Sequence, residues 1–243
     1  MSLSQFLLRT LLRRVRAQAD YELDPALRHS DAREILWRTL WNCARGTRLA
    51  LRLGSCAGIP FVGAKASITG ARHLHLGRNV KIEELAEVQG LSRRGVWLGD
   101  GVTIGRGASI RPSSYYGHDL GEGLRIGRGT AIGAYSWIGA SGQVTIGEDV
   151  MLGPRVVVIP ENHIHANLEL TIKEQGVVRN GVIIEDNCWI GCNVTILSGV
   201  TIGHGSIIAA GAVVNRDIAP NSIAGGVPAR VLKQRTSPFK LCS

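Results

Sequence analysis

The sequence predicts an all-β fold, a parallel β-helix with an N-terminal helical segment. Three observations carry that expectation. Over most of the chain an aliphatic residue returns at every sixth position, a small or β-branched residue stands two places before it, and the turns between are written in Gly, Asn and Asp. Strand side chains alternate, so the two apolar positions of each unit point to one side and make a short flat face. Gly, Asn and Asp tolerate the positive φ of a tight turn. Identical turns at a fixed spacing bend the chain by the same angle each time, and three such faces close into a triangular coil with Ile and Val stacked inside. Ordinary antiparallel structure would need strand and turn lengths that vary, and here they are constant.

Composition points the same way. The 243 residues include 31 glycines, and only 5% are aromatic, which suits many small turns and thin β-branched layers. From Leu3 to Val15 the apolar Leu3, Phe6, Leu7, Leu11 and Val15 recur at helical spacing with arginines between them, the pattern of a short basic amphipathic helix. Such a helix can dock on an anionic bilayer or pack on protein, so residues 1–16 are a candidate for peripheral contact with the inner membrane. A second helix is expected from Asp31 as N-cap, through Ile35, Leu36, Leu40, Trp41 and Ala44, with Gly46 as its stop.

The repeat begins near Ile68. It runs through Leu98, Ile104 and Ile110, then Ile126, Ile132 and Ile138, then Ile146, Leu152 and Val158, and finally Ile184, Ile190, Ile196, Ile202, Ile208 and Val214. The expected organisation is a helical segment over 1–55, the coil over 56–235 and a tail over 236–243. Three inserts interrupt the period, between Ile110 and Ile126, Ile138 and Ile146, and Val158 and Ile184. Loops on a rigid scaffold are where chemistry is usually placed.

The formal charge of +9 favours anionic partners. No basic stripe with interleaved aromatics and no zinc-finger spacing occurs, which argues against nucleic acid. Cys43, Cys56, Cys188, Cys192 and Cys242 form no regular framework, as expected of a reducing compartment. The apolar run Phe6 to Leu8 is cut by Arg9, so no signal peptide is read, and no stretch reaches the ~20 apolar residues of a spanning helix. The expected location is cytoplasmic.

Of the seven histidines, His163 stands apart: it follows the inward Val158 by five residues, where the coil ends and the longest insert begins. Histidine is suited to taking a proton from an attacking hydroxyl near neutral pH. A metal site is not expected, because His163 and His165 have no third histidine near them in the coil register. Cys188 falls on a small inward position and reads as core.

The run Gly153 to His163, followed by Asp186-Asn187-Cys188-Trp189-Ile190-Gly191, resembles the bacterial maltose, galactoside and colanic-acid acetyltransferases, a family of hexapeptide-repeat acyltransferases. Ile208 to Val214 and Ala224 to Val231 continue the likeness, which covers roughly residues 98 to 235. The resemblance implies a left-handed coil, acetyl-CoA as co-substrate, no metal, and a homotrimer with sites between subunits. It implies His163 as the catalytic base, Trp189 beside the active site of the adjacent subunit, and Cys192 near the thioester. It also implies Ala210, Asn215 and Arg216 along the pantetheine arm and adenosine, and Arg230 and Lys233 at the cofactor phosphates. Cys192 and Asn215 depart from the commonest family residues.

The basic character of Arg216, Arg230 and Lys233 suits the anionic nucleotide end of acetyl-CoA. A backbone N–H near Cys192 is the candidate oxyanion donor, and no acyl-enzyme is implied. On the acceptor side the candidates are Tyr135 and Trp137, with Asn162 and His165 beside the base; Tyr115, Tyr116, His118 and Asp119 form a polar aromatic loop that could stack a sugar ring. The leading expectation is an acetyl-CoA-dependent O-acetyltransferase acting on a sugar hydroxyl in surface polysaccharide or glycolipid assembly. N-acylation of an amino sugar or antibiotic, and a non-catalytic trimeric scaffold, are the alternatives.

Overall fold

The computed structural model describes residues 2–16, 22–113 and 119–236. Among these residues the strands form three long sheets of seven, nine and seven strands and one two-stranded hairpin. Successive strands visit the three sheets in turn, so each sheet is one face of a prism and each circuit one coil. The first face runs from Ser55–Cys56 through Leu74–Leu76 and Val96–Leu98 to Thr201–Ile202. The second begins at Phe61–Val62 and the third at Ser67–Thr69. Pairing within the faces is parallel and in register: Ile126 lies between Leu98 and Ile146, Ile132 beside Ile104, and Ile138 between Ile110 and Val158. The coil starts at Ser55, about two faces before Ile68.

The interior follows from the six-residue period. Ile104, Ile110, Ile132, Ile138, Ile184 and Ile190 are all buried, as are the small residues two positions earlier, among them Val102, Ala108 and Cys188. Where the small residue is polar, its side chain bonds to the neighbouring coil. The hydroxyls of Thr130 and Ser206 donate to the carbonyls of Gly147 and Ala219 at 2.7 and 3.0 Å, and the Cys188 thiol donates to Gly203 at 3.3 Å. Burial pushes the Cys188 thiol pKa up, as expected of an inert core cysteine.

The turns stack as the faces do. At the corner between the first and second faces, the Gly101 N–H donates to Arg78 O, Gly129 to Asp100 O, and Asp149 to Arg128 O. The Asp100 carboxylate accepts the backbone N–H and the guanidinium of Arg78, which hold its pKa below the usual range.

Helix α1 spans Leu3–Arg16 and α2 spans His29–Ala50. The second helix differs from expectation at both ends. Its N-cap is Arg28, and Asp31 lies inside the first turn, where its carboxylate accepts the Arg28 N–H at 3.2 Å. Gly46 does not stop the helix; it is buried within it, and a Cβ there would lie 1.6 Å from the Pro60 carbonyl oxygen. The glycine is a close-approach point that lets α2 lie on the start of the second face, where Arg45 Nε donates to Val62 O at 2.8 Å. Helix α1 rests on the turn that precedes α2, Gln5 Nε2 donating to Leu27 O at 2.8 Å.

Candidate active site

All three inserts leave the prism at the corner between the third face and the first face of the next coil. The longest, between Val158 and Val182, starts as a hairpin in which Asn162–His163 pairs antiparallel with Val177–Val178. The Gly181 N–H donates to Pro160 O at 3.1 Å and closes its base. His163 and Asn162 are exposed on this hairpin. His165 turns back, its Nδ1 lying 3.0 Å from His163 O. The outer loop is ordered by its own polar groups: Gln175 Nε2 donates to Asn167 O, and Glu174 accepts the N–H and hydroxyl of Thr171, bonds that lower the Glu174 carboxyl pKa.

Trp137 joins this cluster. It sits on the third face beside Val157, and its ring covers Gly139, where a Cβ would come within 2.7 Å of Cη2 and 3.1 Å of Pro160 Cδ. The indole therefore lies over Gly139, near Pro160 at the root of the hairpin that carries His163. Tyr135 is elsewhere, at the corner between the second and third faces, with its ring over Gly107. Tyr115, Tyr116 and His118 lie outside the described residues.

Arg179 is a residue the sequence reading missed. Largely buried, it pairs with Asp119 from the first insert and with Glu161 at 3.5 Å from the third, and it donates to Leu120 O. It ties the two inserts together immediately after the hairpin. No local pattern announces it, because its partners are contributed by separate loops. Arg179→Ala should cost about 1 kcal/mol of stability while markedly speeding proteolytic cleavage within residues 161–178; unchanged cleavage would mean that the hairpin is held by its backbone bonds alone.

The residues expected to hold the cofactor fall mostly on other parts of the prism. Trp189, 52% exposed, stands on the second face between Met151 and Ile207. Cys192 and Ala210 follow at the corner with the third face, one coil apart, where the Gly211 N–H donates to Cys192 O at 2.8 Å. Arg230 and Lys233 lie on the last strand, antiparallel to Ser222–Gly225 at the end of the second face. Asn215 and Arg216 are exposed at the His163 corner, past the last strand of the third face. A corner and the face opposite it are separated by the apolar interior, so a single chain does not bring His163 to Trp189. Among the described residues there is no group of three His, Cys, Asp or Glu arranged to hold a metal ion.

Comparison with known proteins places this geometry. Residues 181–216 match the model of the bacterial transferase hexapeptide family, six repeats. A Schizosaccharomyces pombe protein named as an acetyltransferase is 46% identical over 92 residues, 37% of this chain and 43% of that protein. The galactoside O-acetyltransferase of Escherichia coli is 41% identical over 92 residues, 37% and 44% of the two chains. The match thus spans less than half the length of these curated relatives. The solved structure of AntD, an N-acyltransferase from Bacillus cereus, in complex with dTDP and 3-hydroxybutyryl-CoA, superposes with a TM-score of 0.53 at 18% identity, covering 79% of this chain and 88% of that one. The fold and repeat define the class, an all-β left-handed parallel β-helix built on hexapeptides. Within that class the chain is similar to hexapeptide-repeat acyltransferases, through the repeat match over residues 181–216 and the 92-residue stretch shared with these relatives.

Proposed function

We propose that the protein transfers an acetyl group from acetyl-CoA to a hydroxyl of a sugar acceptor, with His163 as general base, in surface polysaccharide or glycolipid assembly. The observation that carries this reading is the exposed hairpin at the prism corner, which presents His163 with Trp137 near its root. In the reaction the imidazole takes the acceptor's hydroxyl proton as the oxygen forms its bond to the thioester carbonyl carbon. The C–S bond then breaks, and the imidazolium returns the proton to the leaving sulfur. No covalent enzyme intermediate is required, so Cys192 need not act as a nucleophile.

The separation of the His163 corner from the second face supports a homotrimer in which one chain's corner meets the next chain's face. The hairpin arm carries exposed apolar side chains suited to such a contact, including Leu168 at 93% exposure, Leu170 and Ile172. Trp189, Cys192 and Ala210 would then line the thioester end of acetyl-CoA, with Asn215, Arg216, Arg230 and Lys233 toward its nucleotide. Asn162, His165 and Trp137 of one chain are the proposed acceptor-side residues, with Tyr135 supplied by the corner of the neighbouring chain.

The test is release of free thiol from acetyl-CoA against sugars, nucleotide sugars and amino sugars. Turnover with acceptors that carry only hydroxyls is expected. Turnover confined to amino sugars would replace O-acetylation by N-acylation, and absence of acetyl-CoA binding would overturn the enzymatic reading.

A further inference from the structure

Helices α1 and α2 leave apolar surface uncovered. On α2 the residues Arg33, Trp37, Leu40, Trp41, Ala44 and Arg48 share one side by their spacing. Trp37 and Trp41 are 58% and 61% exposed, and Leu40 is exposed as well. On α1, Leu3, Phe6 and Leu7 share a side and are exposed in the same way, while Leu8 is fully buried. The inward side of α2, with Ala32, Gly46 and Leu49, accounts for its packing on the prism. The outward tryptophans therefore serve neither the core nor the seating of the helix.

Charge decides what covers them. The first 55 residues contain ten arginines and five acidic residues, and α1 carries four arginines with no acid. A self-complementary contact between two copies would bring the arginines of each stripe against one another. An anionic lipid surface supplies the opposite charge to Arg33 and Arg48, and indole rings settle at the level of the headgroups. Among the described residues no helix is long and apolar enough to cross a membrane, so the contact would lie in the plane of the interface. We propose that the outer stripe of α2, together with the exposed side of α1, docks this protein on an anionic bilayer. That would set the prism beside acceptors that are themselves attached to lipid, and it is independent of the chemistry at His163.

The experiment is co-sedimentation of the full chain with vesicles of phosphatidylcholine alone and of phosphatidylcholine with phosphatidylglycerol, with no acetyl-CoA or acceptor present. Binding is expected only with phosphatidylglycerol and should weaken as salt is raised. Trp37→Ser with Trp41→Ser should weaken it about tenfold or more, and Arg33→Glu with Arg48→Glu should do the same. The charge-reversed pair guards against a folding defect in the tryptophan pair, and circular dichroism checks both. Equal binding to the two vesicle types, or none to either, would overturn the proposal. A change in oligomer size in the tryptophan variant with vesicle binding intact would also overturn it, showing that the stripe covers a second copy of the chain.

Discussion

His163→Ala should lose about two to four orders of magnitude in kcat, the usual contribution of a positioned general base, with its melting curve superimposed on that of the unaltered protein. The second half of the expectation follows from burial. The residue lies on an exposed hairpin outside the apolar stack, so removing the imidazole opens no cavity. The KM for acetyl-CoA should change little, because the proton moves from the acceptor. His165→Ala is the matched comparison, two residues away and bonded to the His163 carbonyl; as an acceptor-side residue it should raise the KM for the acceptor while leaving kcat largely intact. Mixing also tests the assembly. If His163 and Trp189 act across a subunit boundary, His163→Ala chains and Trp189→Ala chains that are separately inactive should regain activity after being unfolded and refolded together. Near-normal turnover by His163→Ala would remove the proposed mechanism, and absence of recovery on mixing would place the two residues in independent roles.

What the sequence made legible was whatever the chain writes locally. The hexad of Ile104, Ile110, Ile132 and Ile138 is a short-range signal, and it corresponds residue by residue to the buried stack. The inserts announced themselves as breaks in that period, and His163 as the histidine at the largest break. Less legible was anything that depends on which residues meet across the fold. Gly46 carries the local signature of a helix stop, but the carbonyl of Pro60 decides its role, by coming too close for any side chain. The clasp of Arg179 on Asp119 and Glu161 joins two loops whose approach depends on coil stacking. The opening coils were harder to read because Cys56 stands where later coils have Leu or Ile, and Pro60 where the next two have Val80 and Val102. The division of the expected site between a corner and the opposite face was not written in the period itself; only the resemblance implied it, by setting Trp189 beside the active site of an adjacent subunit.

Ile138→Ala should destabilise the protein by about 2–5 kcal/mol, the largest stability effect expected of a single truncation in the coil. Ile138 is fully buried on the third face between Ile110 and Val158. Its neighbours are held by parallel backbone ladders and cannot collapse into the space it vacates. The coils stack along one direction, so a defect in a central coil weakens contact with the coils on both sides, where one at an end would weaken a single interface. Ile138→Val, which keeps most of the volume, should cost only about 0.5–1.5 kcal/mol. Trp137 precedes it on the same strand but faces outward, so Trp137→Ala should disturb stability less while removing the ring that covers Gly139 near the root of the His163 hairpin. Denaturant midpoints and acetyl-transfer rates measured on these three variants separate the two sides of the strand. Ile138→Ala is expected to shift the midpoint far more than Ile138→Val, and Trp137→Ala to lower turnover with a small shift. Equal midpoints for Ile138→Ala and Trp137→Ala would contradict an interior built from the six-residue aliphatic stack.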